Sequence, residues 1–124
     1  MEDFMRDEIQ VKNYKGKNIL VLDFTKATKE TTPELIADMK DWIKQQPENS
    51  LSTLTDISGL RFDKQMIEHF KGFTVFNKPY VAAGVVIGLQ GLQNIAFKAV
   101  MAFSERKLPT FESREEGMEW LANQ

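Results

Sequence analysis

A chain of 124 residues is long enough to bury one core and too short to divide into two domains, so a single domain over residues 1–124 is expected. Its 16 basic and 18 acidic residues leave a net charge of −2, and neither sign forms the long block that marks a nucleic-acid or membrane footprint. The absence of cysteine excludes disulfides, thiolate catalysis and cysteine-ligated metal, and a lone histidine leaves little for zinc; no metal and no cofactor are expected.

The amino terminus, MEDFMRDEIQ, is acidic and has neither the positive flank nor the apolar run of a signal peptide; residues 1–5 are expected to be flexible. The longest apolar stretch, from Tyr80 to Ile87, is far too short to span a bilayer, so a cytoplasmic protein without membrane insertion is expected. Ile9 and Val11 alternate with Gln10 and Lys12, which predicts a strand with one wet face, and Lys15-Gly16-Lys17 supplies the turn into a second strand, Asn18 to Phe24. That second strand is almost continuously apolar, as a strand covered on both faces should be.

Thr32 is the expected N-cap of a first helix, with Pro33 in its first turn and Leu35, Ile36, Met39, Trp42 and Ile43 on one face, ending by Pro47. A third strand, about Leu51 to Ile57, precedes a helix capped by Asp63 that buries Met66, Ile67, Phe70 and Phe73. After the break at Lys78-Pro79, Val81 to Ile87 reads as a central strand in which Gly84 leaves room for a close neighbour. The third helix, about Leu92 to Phe103, carries an expected core stripe of Leu92, Ile95, Ala96, Ala99, Val100 and Phe103. Leu108 to Phe111 forms a short last strand, and Ser113 and Glu116 have the spacing of a capping box for a terminal helix carrying Met118, Trp120 and Leu121. A hairpin followed by alternating helix and strand predicts an α/β fold with a mixed, mostly parallel sheet and helices on its faces.

Candidate sites follow from where parallel strands end. Asp23, Asp56 and Gln90 fall near such ends and invite comparison with the acidic pocket of a receiver, but one carboxylate per strand end and no lysine after Ile87 do not make a phosphoryl-accepting, cation-binding cluster. Asp56 therefore reads as turn chemistry. Gly84, Gly88 and Gly91 give G-x-x-x-G-x-x-G, whose spacing fits neither the P-loop nor the dinucleotide fingerprint; Gly88 and Gly91 are expected to make a tight strand-to-helix turn at what is at most a weak anion edge. On the third helix, Phe97 and Met101 lie four residues apart and away from the expected core stripe, as a pair suited to a partner helix or a homodimer seam.

The segments TDISGLRFDK and VVIGLQGLQNIAFKAVMAFSERKLPTFESREEGMEWL, with the Phe-x-x-x-x-x-(Gly/Ala)-x-x-Trp-Leu ending, resemble the STAS-like superfamily and within it the SpoIIAA-like group, over roughly Arg6 to Leu121. The resemblance implies a sheet of about five strands flanked by about four helices, and a protein partner, since the best-known members are anti-sigma-factor antagonists that bind a kinase. Those antagonists carry a phosphorylatable Ser or Thr just after an Asp at the start of the helix that follows the third strand. Here Asp63 is followed by Lys64, which cannot accept a phosphoryl group; Ser58, in the preceding turn, is a substitute, although Ser-Gly after a strand is more often plain turn chemistry. Relatives in the group are also described as similar to lipid-binding CRAL-TRIO domains, which implies an internal apolar pocket. The expected function is a non-enzymatic protein-interaction or signalling module whose binding surface includes Ser58, Asp63, Lys64, Phe97 and Met101. The alternative is a carrier of a small apolar ligand.

Overall fold

In the computed structural model, which describes residues 6–124, the elements run β1 (Ile9–Tyr14), β2 (Lys17–Asp23), α1 (Thr32–Ile43), β3 (Leu51–Asp56), α2 (Lys64–Asn77), β4 (Val81–Ile87), α3 (Gln93–Ser104), β5 (Thr110–Phe111) and α4 (Arg114–Ala122). The expected flexibility of residues 1–5 lies outside the described residues. The strands form one sheet in the order β1-β2-β3-β4-β5, antiparallel between β1 and β2 and parallel elsewhere, which is the α/β class expected from the sequence. Lys15 and Gly16 both take positive φ (51° and 87°), the conformation of a two-residue hairpin turn whose twist matches the strands it joins.

Strand periodicity divides the apolar side chains between two cores. Leu20 and Leu22 of β2 face the larger one, where α1, α2 and α3 contribute Leu35, Met39, Phe70, Phe73 and Val100. Ile19 and Val21 of the same strand face the other side with Leu54, Val85 and Ile87, under α4. Val11, expected to share the buried face of β1, is 52% exposed at the sheet edge.

Helix ends follow local chemistry. Asp63 caps α2 by accepting the Met66 N–H at 2.8 Å, and Ser113 and Glu116 form the expected capping box on α4. The expected cap at Thr32 shifts by one residue: Thr31 is the N-cap, and the Thr32 hydroxyl, buried in the first turn, donates to the Thr28 carbonyl at 2.6 Å. The loop folds back on itself through Thr28 and Thr31, whose hydroxyl accepts the Thr28 N–H at 2.8 Å, so it leaves no free cap for the helix N–H groups.

Gly117 sets how closely α4 approaches the sheet. A Cβ there would lie 2.8 Å from Ile87 Cδ1, 3.1 Å from Val85 Cγ2 and 3.3 Å from Leu54 Cδ1. Gly117→Val should therefore push α4 off these three side chains and lower the unfolding free energy by about 2–3 kcal/mol in a urea titration. A variant as stable as the parent would show that α4 is not seated through this contact.

Candidate functional site

The carboxyl ends of β2 and β3 carry a polar corner on the α4 side of the sheet. Arg114, the first residue of α4, reaches Asp56 Oδ2 through Nε at 2.6 Å and Asp23 Oδ2 through Nη2 at 3.2 Å. The second oxygen of each carboxylate is bound locally. Asp56 Oδ1 accepts the Ser58 N–H at 3.0 Å and hydroxyl at 2.6 Å, and Asp23 Oδ1 accepts the Thr25 N–H at 2.8 Å and hydroxyl at 2.6 Å. Burial alone would push the Asp23 carboxyl up; the Thr25 hydrogen bonds and the guanidinium outweigh it and hold the group below the usual carboxylate range. Burial likewise pulls the Arg114 pKa down, and the two carboxylates reverse that shift.

The sequence reading missed Arg114, although a signal existed. A cation in the first turn opposes the helix dipole, so it needs an anionic partner elsewhere. Asp56 does turn the backbone after its strand, as expected, and it also anchors this second interaction. Gly88 closes the corner with φ +91°, and a Cβ on it would meet Ser58 Oγ at 2.0 Å. Its N–H donates to the Phe111 carbonyl at 3.1 Å, and the Gln90 N–H to Gln93 Oε1 at 2.8 Å, so neither is free for an anion. Gln90 and the positive-φ Gly91 lead away into α3.

These bonds occupy the chemistry of the corner. The Ser58 hydroxyl points at a carboxylate already paired with arginine, and a phosphoryl group on it would set two anions together. Asp63 and Lys64 sit apart from Ser58, at the start of α2 on the opposite face of the sheet, with Asp63 spent on its cap. His69 lines a groove between α1 and α2 with Ile36 and Lys40. Among the described residues, no group of three or more His, Asp or Glu could hold a metal ion.

The third helix is turned by roughly 100° from its expected phase, one residue's advance. Ala96, Val100 and Ser104 are buried and Phe97 and Met101 pack half-buried against the core, whereas Leu92, Ile95 and Phe103 are 82%, 68% and 57% exposed. The pair offered for partner binding is therefore a wall of the interior, and most of the expected core stripe faces outward. The reason is polar: Gln93 Nε2 donates to the carbonyls of Ile57 (3.1 Å) and Leu60 (2.7 Å), both outside the helix, and so turns inward. Gln93 is thus half-buried with its amide bonded inside, and Ser104 is buried with its hydroxyl bonded to the Val100 carbonyl of its own helix at 2.8 Å.

Behind Phe97 and Met101 lies a cavity of about 50 Å³, also lined by Phe62, Phe70 and Phe73 of the α2 side and by Thr53, Thr55 and Arg106. Its lining is mostly apolar. An engineered apolar cavity of about 150 Å³ accepts benzene, so this one holds only part of a ligand without movement of its walls.

No family model and no curated protein matches the chain. Among solved structures, the NMR structure of the protein TM1081 is similar to it with a TM-score of 0.52 and 12% sequence identity, over 100% of this chain and 96% of that one. This likeness shows a common fold.

Two measurements test the corner. Arg114→Leu leaves buried Asp56 without its cation and should cost about 2–4 kcal/mol of unfolding free energy; a loss below about 1 kcal/mol would mean that the pair does not hold α4. Because folding lowers the Asp23 pKa, its contribution is complete above the unfolded carboxylate pKa and is lost as pH falls through the folded value. The difference in Tm between the parent and Asp23→Asn should be full at about pH 7 and close progressively below about pH 4. A difference that does not change with pH contradicts the assignment.

Proposed function

We propose that the protein is a non-enzymatic interaction module, resembling the SpoIIAA-like STAS proteins, that docks an acidic protein partner on the outward face of α3. The observation that carries this reading is the exposed arc of Leu92, Ile95 and Phe103 on a helix whose only charged residue is Lys98. Covering such side chains yields roughly 1.5–3 kcal/mol each, enough for a specific contact of modest size.

Charge supports the acidic partner. Residues 61–109, which include α2 and α3, carry seven basic and three acidic residues, a net +4, so the rest of a chain of net −2 carries −6. Lys71 Nζ stands 5.1 Å from the Phe103 ring centroid, which places a cation beside the apolar arc. A two-fold dimer through α3 would set two such basic surfaces against each other, so a second copy suits this surface less well than an acidic helix or strip on another protein. Ser58 and Lys64 support a module without a phosphorylation switch, and a reducing cytoplasm suits a chain without cysteine.

A second reading, a carrier of a small apolar guest, is supported by the cavity behind Phe97 and Met101.

The surface is tested by Leu92→Ser, Ile95→Ser and Phe103→Ser combined. These side chains are exposed, so each change should alter stability by no more than about 0.5 kcal/mol. The parent should sediment as a monomer and retain an acidic protein from a lysate of its host, released by about 0.5 M salt, and the variant should retain none. Equal retention by both chains, or a parent dimer that the variant abolishes, rejects the proposed partner.

A further inference from the structure

Arg106 stands where the cavity behind α3 meets the surface. Its Nη1 donates to the Thr74 carbonyl at 3.1 Å and to Asn77 Oδ1, near the carboxyl end of α2. Among the described residues, no carboxylate lies within ion-pair distance of it. Arg114, the other arginine near the sheet, has two. Half-burying a guanidinium without an anion costs desolvation that hydrogen bonds to neutral oxygens offset only in part.

Outside the cavity wall, an open groove of about 620 Å³ runs between α3 and Trp120 of α4. Phe97, Met101, Arg106 and Leu108 line both spaces, so four side chains separate the groove from the cavity. The groove has an apolar floor. Its charged residues are Lys98, Arg106 and Lys107, all cations, with no acidic residue in the lining.

We infer that this groove binds a small amphipathic carboxylate of the alkyl-carboxylate class, its head between Arg106 and Lys107 and the end of its chain against Phe97 and Met101, reaching into the cavity. An alkyl alcohol of the same length would gain the apolar contact alone. The carboxylate adds a charge-assisted hydrogen bond to a cation that has no carboxylate partner among the described residues. A whole long-chain lipid does not fit the enclosed space, whereas a chain lying mainly in the groove needs only its end inside.

The inference rests on the second reading above, that the space behind α3 takes an apolar guest, and adds the charge of that guest. Calorimetric titration of the full chain with octanoate, 1-octanol and octylamine separates the two. Octanoate should bind at least about tenfold more tightly than octanol, octylamine should bind least, and the preference for octanoate should shrink as salt rises. Arg106→Gln should bring octanoate down to the affinity of octanol. Should that variant fail to fold, Lys98→Gln with Lys107→Gln, both at exposed positions, should weaken octanoate about threefold or more and leave octanol unchanged. Equal binding of octanoate and octanol overturns the carboxylate inference while the guest reading stands. Binding of none of the three overturns both.

Discussion

Among the described residues, one face of the sheet is covered by a single nine-residue helix, and the rest of the architecture depends on keeping that helix seated. About 13 Å of helix must shield Ile19, Val21, Leu54, Val85 and Ile87 from water, a task that three helices share on the opposite face. Two devices secure it. Gly117 lets the helix backbone approach the strands, and Arg114 ties its first turn to the carboxylates that end β2 and β3. The strand-end carboxylates, which in other α/β proteins hold metals or phosphates, are here committed to attaching a helix. Their placement resembles a reactive edge, but every oxygen already has a partner within the fold.

The third helix carries the opposite character. It is apolar on most of its circumference, which usually marks a helix buried on all sides, yet here one flank faces solvent. Its inner flank lines a small cavity and its outer flank presents Leu92, Ile95 and Phe103 among lysines. An element with few polar commitments is the natural one to meet other molecules, whether a protein on its outside or an amphiphile at its edge.

Much of this was legible in the residues. The turn at Lys15-Gly16, the unbroken apolar run of β2, the Asp63 cap and the capping box at Ser113 and Glu116 each depend on neighbours in sequence, and the α/β class follows from the order of the elements. The phase of α3 was not legible, because apolar residues occur on every side of it and only the distant carbonyls of Ile57 and Leu60 decide that Gln93 turns inward. The role of Arg114 was hidden for the same reason: its partners are 58 residues away or more in sequence and adjacent only once β2 and β3 pair. At the candidate site, sequence located the strand-end acids and the third helix as the places of interest. It assigned the outward and inward flanks of that helix the wrong way round.

The two margins of the sheet have a further consequence. One margin strand, β1, displays Gln10, Lys12 and Asn13 to solvent, and the other, β5, is only two residues long. Proteins use charged or very short border strands to discourage a foreign chain from annealing to exposed backbone, and both safeguards are present here. Association by strand addition is thereby disfavoured at either border. The large apolar side chains left exposed on α3, Leu92, Ile95 and Phe103, stand instead along a helix, whose backbone is bonded within the chain.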